Sequence, residues 1–409
     1  MDEIVLWYDY IENGSIRNNL QFEDGFTKSV QVGLPNFFIQ NNINFTVATT
    51  AYGAEYFYEK YSNLKNVYPV EFLFYNSLAK IDKLQIGDHW FFKKRGVDNF
   101  EILFWYPNEG FEIRRNNEAF NQMIALVRLR FPKIKIRFVF GNFVKSKNIP
   151  DFAIYKCFKN YFWFDTVNKI SKPIKLDPNK ESRYDFITLN MSYRESRYMI
   201  FTDLKNSGML ANAKYTNIFN NKTFPADRIE NKNSHFILEH VKSEDFPFIQ
   251  KIQTDEYFKT LYDHAHKTWG VTPPIDIRLL DIDLINCSYL EVVNETVFDS
   301  TSNLFITEKT FRAIAVGHIF LICGQPKLLE HLKHWGFYTF DDLFDESYDN
   351  LCSFSQRWAI IKKNLQLWIG LSDLEKQSYY RKSFYKLVHN QNLLYNRDFK
   401  TEIEELFKD

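Results

Sequence analysis

The chain has 409 residues, with 51 Lys+Arg against 51 Asp+Glu, 45% apolar residues and 18% Phe, Tyr or Trp. That length suggests two domains, and the apolar and charged fractions exclude a chain that is disordered by default. A formal net charge of zero argues against a protein that coats nucleic acid, leaving only a local basic cleft as a route to such a partner.

The opening residues, Met1 to Ser15, are acidic and carry no basic segment ahead of an apolar one, so no signal peptide is expected. The most apolar run, Ala313 to Gly324, is too short to span a bilayer. Cys157, Cys287, Cys323 and Cys352 are widely spaced with no CxxC pair. They read as small buried thiols in a reducing compartment rather than a disulfide or zinc framework. The expected location is the cytoplasm of a bacterial or virus-infected cell.

Apolar runs at Ile4–Tyr10, Val67–Tyr75, Phe100–Tyr106 and Ile134–Phe140 read as strands. Between the last two, Phe120, Ile124 and Val127 recur at helical spacing within Asn116–Arg130. Strand, helix, strand reads as a βαβ unit and hence a parallel sheet. The polar stretch Ser171–Glu181, with two prolines, is the candidate linker. Alternation then restarts. A strand is expected over Tyr184–Asn190, a helix over Arg194–Lys205 stopping near Gly208, and a strand over Ser288–Asn294. A helix over Glu308–Val316 ended by Gly317, the strand His318–Cys323, a helix ending near Gly336 and a short strand Phe337–Phe340 follow. The architecture expected is α/β. Residues 1–175 form an N-terminal domain, 182–352 a second α/β domain, and 353–409 a helical tail.

The chemistry concentrates at two strand-to-helix junctions. In Leu304-Phe-Ile-Thr-Glu-Lys-Thr310, Thr307 is a plausible N-cap and Glu308 suits the helix dipole. Lys309 does not: a cation at the positive end of a dipole costs roughly 0.3–1 kcal/mol. A local rule broken without visible compensation marks a functional site. At the other junction, Arg194 and Arg197, spaced i and i+3, share one face of a helix start. Free backbone N–H groups, the dipole and added cations together make an anion site, most naturally for phosphate, and two such junctions suggest a diphosphate. No GxGxxG or GxxxxGK[ST] accompanies them, which argues against a dinucleotide dehydrogenase and a P-loop ATPase.

Leu290-Glu-Val-Val-Asn-Glu-Thr296, followed by Leu304 to Ile322, resembles the donor-binding region of the α-1,3-fucosyltransferase family and of related bacterial and viral glycosyltransferases of the GT-B type. Arg197-Tyr-Met-Ile-Phe-Thr-Asp-Leu204 is similar to the family's Arg-x-x-Phe-x-x-x-Leu segment, and Arg194 to an Arg-x-x-Arg arrangement of some relatives. Gly336-Phe-Tyr-Thr-Phe340 and Asp345–Asp349 also recur there. The likeness covers residues 190–350 in patches. It implies two Rossmann-like domains facing a cleft, with a nucleotide-diphosphate sugar on the C-terminal one. It further implies that Glu308 holds the ribose, Lys309 a phosphate and Arg197 the diphosphate, with Glu295 and Thr307 in the same donor-binding region.

On the acceptor side, Pro107-Asn-Glu-Gly-Phe111 after a strand offers Glu109 as a general base, the role proposed for a Glu in a similar turn of fucosyltransferases. Asp281-Ile-Asp283 mimics the DxD metal site of the GT-A fold but falls late in the chain. Asp263-His-Ala-His266 lacks the i,i+4 histidine spacing of a helical zinc site. The function expected is inverting, metal-independent sugar transfer without a cofactor, to a hydroxyl of a polysaccharide or lipopolysaccharide glycan. A hydroxymethylated base of viral DNA is the alternative acceptor, for which only Lys93–Arg95 and Lys145–Lys147 supply basic clusters. A non-catalytic glycan- or partner-binding protein that keeps the fold is the alternative of another class.

Overall fold

The computed structural model of the chain describes residues 4–8, 10–12, 15–17, 43–49, 63–71, 100–111, 135–143, 153–170, 172–190, 195–217, 287–298 and 304–408, with single residues 38, 60, 125 and 129. It divides into two compact units, Met1–Tyr161 with Asp398–Asp409, and Phe162–Arg397. Both are α/β units on parallel sheets, in keeping with the strand–helix alternation.

In the first unit, strands β1 (Ile4–Tyr8), β4 (Phe45–Thr49), β5 (Lys65–Glu71), β6 (Phe100–Phe111), β7 (Lys135–Phe143) and β8 (Ala153–Cys157) form a six-stranded sheet. Its order is β4-β1-β5-β6-β7-β8, and every pairing is parallel. β2 (Tyr10–Glu12) and β3 (Ser15–Arg17) pair antiparallel beside it. Ile4, Val5, Leu6 and Trp7 are all fully buried, as a strand covered on both faces requires. β6 runs past the expected end at Tyr106. Between the pairs Tyr106↔Phe140 and Gly110↔Asn142 its register shifts, because β6 spends four residues where β7 spends two. Pro107-Asn-Glu109 thus lies in a bulge of a continuing strand, not in a terminal turn. Proline cannot donate to a ladder and is accommodated at such irregularities.

The last helix, α7 (Lys400–Phe407), belongs to this first unit. Its end carbonyls meet cations: fully buried Arg137 donates to Leu406 O and Lys408 O, each at 2.9 Å. The same guanidinium pairs with buried Glu101. Free helix carbonyls at the negative dipole end favour this arrangement.

The second unit holds β9 (Phe186–Asn190), β10 (Ala213–Asn217), β11 (Leu290–Asn294) and β12 (Ile319–Cys323), all parallel in the order β10-β9-β11-β12. Helix α2 (Glu195–Asn206) lies between β9 and β10 in sequence, and α3 (Glu308–Ala315) between β11 and β12. Gly317 ends α3 with φ of 70°, the left-handed conformation that glycine adopts freely. α4 (Leu328–His334), α5 (Phe354–Ile369) and α6 (Asp373–Asn396) belong to the same unit. The expected strand Phe337–Phe340 is irregular. Side chains take its backbone groups instead of a ladder. The Asn390 amide bonds both Tyr338 N–H and C=O, Glu346 accepts from Phe340 N–H, and Lys386 donates to Thr339 O.

The division between units falls at residues 161/162 rather than over 171–181. Helix α1 (Tyr161–Lys169) starts at that junction, and its Trp163 is fully buried against Phe311 and Phe337 of the second unit. The proline-bearing stretch packs on the same unit. Gln391 donates to Ile174 O at 2.9 Å, and Leu176 fills the space over Gly317 that a side chain there would need. Likewise α5 and α6 are integral to the second unit, not a separate tail. Cys287 and Cys323 are buried, while Cys352 is exposed, contrary to expectation. No helix among the described residues is long and apolar enough to cross a membrane.

Lys180, at the end of that stretch, donates to Ser288 O at 3.0 Å and lies over the stacked rings of Tyr289 and Tyr380. Burial lowers its pKa to about 8, against about 10.4 for an unfolded lysine. Between those values the unfolded chain binds the extra proton, so stability rises with pH through this window and is flat below it. Lys180→Met is expected to abolish the rise between pH 8 and 9.5, read as the urea midpoint at each pH.

Candidate functional site

In the second unit β9 is followed by a neighbour on one side, β10, and by β11 on the other. Among the described strands the order therefore reverses between β9 and β11, and ligands of open α/β sheets bind outside the carboxyl ends at such a point. The two strand ends are tied by a buried polar ladder. Asn294 Nδ2 donates to Thr188 Oγ1 at 3.0 Å and to Asn190 Oδ1 at 3.2 Å, and Thr188 Oγ1 donates to Val292 O.

Just past β11, Glu295 is fully buried and gathers the start of α3 onto itself. Oε1 accepts from Thr307 N–H (3.1 Å) and Thr310 Oγ1 (2.6 Å); Oε2 accepts from Thr307 Oγ1 (2.6 Å) and Thr296 N–H (3.3 Å). A carboxylate is the group that free N–H donors and the positive dipole end attract. Thr307 is the N-cap expected, extended at φ −107° and ψ 178°, its hydroxyl accepting from Lys309 N–H. Glu295 and Thr307 therefore set the position of the helix start, and with it the position of Lys309.

The Lys309 ammonium is directed to three oxygens: Glu308 Oε1 at 2.7 Å, Thr307 Oγ1 at 3.2 Å and Thr296 Oγ1 at 3.4 Å. From the other junction Arg197, 1% exposed, donates from Nη2 to the same Thr296 hydroxyl at 3.2 Å. Two cations on different helices thus converge on one oxygen, close enough to share one anion. Burial, the largest single influence, drives the Glu308 carboxyl up, but the Lys309 ammonium and its hydrogen bond, a backbone N–H and the Arg312 charge together hold it at about 2. Glu308 is therefore ionised at neutral pH and balances one of the two positive charges.

Beneath this surface α3 is anchored by a second buried charge. Arg312 Nη2 bonds Glu291 Oε1, and His318 Nδ1 lies 3.0 Å from Glu291 Oε2. All three groups are buried. Burial pushes the Glu291 carboxyl up, while the Arg312 guanidinium and the His318 hydrogen bond bring it below the usual carboxylate range.

Five residues expected from sequence, Arg197, Glu295, Thr307, Glu308 and Lys309, come together here. Arg194 lies outside the described residues, as do Asp281, Asp283, Asp263, His266, Lys93–Arg95 and Lys145–Lys147. Glu109 belongs to the other unit, in the β6 bulge, where its backbone but not its side chain is described. The sequence reading missed Thr296, the meeting point of both cations. Among the described residues no group of three His, Cys, Asp or Glu side chains is placed to hold a metal ion.

Fold and site together define a parallel α/β unit carrying a built cation pair at the carboxyl ends of its strands. No family model matches the chain, and no curated protein matches its sequence. Among solved structures it is similar to a T4 phage BGT mutant in complex with UDP-glucose, at 12% identity and a TM-score of 0.43, covering 100% of this chain and 99% of that one. It is also similar to an E. coli trehalose-6-phosphate protein bound with UDP-2-fluoro glucose (10%, 0.39, covering 99% and 98%). A UDP-forming α,α-trehalose-phosphate synthase from Burkholderia xenovorans is a third (9%, 0.36, covering 100% of both). Likenesses this distant leave the function to the site's own residues.

Proposed function

We propose that the chain is a GT-B-type glycosyltransferase that moves a sugar from a nucleotide-diphosphate sugar to an acceptor hydroxyl. The observation that supports this most is the convergence of Arg197 and Lys309 on Thr296 Oγ1 from two helix starts of one sheet. When the bond between sugar and diphosphate breaks, negative charge grows on the leaving phosphate. Preorganised donors aimed at developing charge are usually the largest catalytic contribution. Lys309 and Arg197 fill that role in this reading, and Glu308, the acceptor-only group beside them, takes hydroxyls of the donor.

Glu295 and Thr307 hold α3 in place rather than meet the ligand, since both Glu295 oxygens are already taken within the protein. Glu109 is assigned as the base that accepts the acceptor proton, giving inversion by direct displacement. The acceptor assigned is a glycan of the polysaccharide or lipopolysaccharide kind, and no cofactor takes part.

A thermal-shift panel of nucleoside diphosphates tests the reading. One of them, at about 100 times its Kd, should raise the Tm by roughly 5 °C or more, since saturation of that order adds about 2.7 kcal/mol. Hydrolysis of the matching member among UDP-, GDP- and dTDP-sugars should accompany it. A chain stabilised by none of them is a binding or structural module instead.

A further inference from the structure

An ammonium has three N–H donors, and those of Lys309 already face three oxygens of its own chain. An incoming phosphate oxygen must displace one of them. Thr307 Oγ1 is committed as the helix cap and bonded to Glu295. Thr296 Oγ1 is shared with Arg197. Glu308 is different: its side chain is 19% exposed, and among the described residues Lys309 is the side chain hydrogen-bonded to it. It is the partner free to leave.

Resting on the transferase reading, we infer that Glu308 is a resident anion on the diphosphate site, which a ligand must displace from Lys309. The exchange makes the site selective. A bare inorganic anion breaks the Glu308–Lys309 pair and offers the released carboxylate no hydrogen bond. A diphosphate carrying sugar hydroxyls replaces the ion pair on Lys309 with its phosphate and gives the freed carboxylate O–H donors. A carboxylate accepts hydrogen bonds and donates none, so the discrimination lies between hydroxyl-bearing diphosphates and free pyrophosphate or phosphate. The same pairing keeps two adjacent cations from standing uncompensated when the site is empty.

The test uses inorganic pyrophosphate, which has no hydroxyl-bearing sugar, titrated by calorimetry into the full chain at constant ionic strength. Glu308→Gln is expected to bind pyrophosphate about tenfold more tightly than wild type, the size of effect that removing one competing charge at a partly buried site produces. Against the nucleoside diphosphate that stabilises wild type it should show no such gain. In a Lys309→Met background the substitution should give no gain with pyrophosphate, because the ammonium it would release is gone. Circular dichroism and the Tm establish that each variant folds. A Glu308→Gln affinity for pyrophosphate equal to or weaker than wild type overturns the exchange alone, provided wild type binds and Lys309→Met weakens it. A tenfold gain that persists in the Lys309→Met background overturns it too, by showing a general field effect. No binding of pyrophosphate or of any nucleoside diphosphate by any variant overturns the anion site itself, and the exchange with it.

Discussion

Replacing Lys309 by alanine is expected to lower donor turnover by roughly 10²–10³, the loss that follows removal of one preorganised donor to a developing negative charge. The fall should lie mainly in kcat. Charge on the bridging phosphate oxygen grows only as the sugar departs, so the ammonium acts more strongly on the transition state than on bound substrate. Arg197→Ala should behave in the same direction, because both cations meet at Thr296 Oγ1. Their effects should not add, since groups acting on one charge couple. The fold should survive Lys309→Ala: the abandoned Glu308 carboxylate is partly exposed and can turn to water rather than remain buried and unpaired. Single-turnover kinetics with the donor found in the nucleotide panel, together with a Tm within a few degrees of wild type, checks this. Turnover within a few-fold of wild type would remove Lys309 from the reaction.

Much of this site was legible in the sequence because its signal is local. A lysine at the wrong end of a helix dipole and a threonine cap need only a few residues of context, while Glu295 was marked by the family resemblance alone, and Thr307, Lys309 and Glu295 do meet. The strands of the second unit were legible for the same reason, being short apolar runs bounded by glycine and polar turns. What escaped depends on distant partners. The stretch Phe337–Phe340 carries strand-forming residues, yet its backbone is claimed by Asn390, Glu346 and Lys386, far along the chain in two of the three cases. Ser171–Glu181 has a linker's composition, but Leu176 finds a glycine to cover and Lys180 two tyrosine rings. The β6 bulge at Glu109 is set by the register of a neighbouring strand, which no local pattern encodes. Thr296 is a hydroxyl whose meaning appears only when two helices bring cations to it.

The stability of the site also rests on a charge buried within α3. Arg312 enters the core from α3 and pairs with Glu291 on β11, both out of water. Arg312→Met keeps most of the side chain's apolar volume but leaves the Glu291 carboxylate buried with His318 as its remaining partner in this trio. Removing one partner of a buried pair typically costs about 3–5 kcal/mol, a large share of a domain's stability. The pH dependence separates this cause from simple loss of packing. In wild type the Glu291 carboxyl lies below its ordinary value, so its contribution is present above the unfolded pKa of about 4.3 and is lost as pH falls through the lower folded value. Without Arg312 burial dominates and the folded pKa rises above the unfolded one. The folded variant then binds the extra proton, and its stability falls as pH rises through that window. The deficit of Arg312→Met relative to wild type should thus be largest near pH 7 and shrink toward pH 4, as read by urea denaturation across that range. A pH-independent deficit would assign the loss to packing alone. Double replacement of Glu291 and Arg312 by Leu and Met should recover much of the stability that Arg312→Met loses, because no charge is then left unpaired in the core.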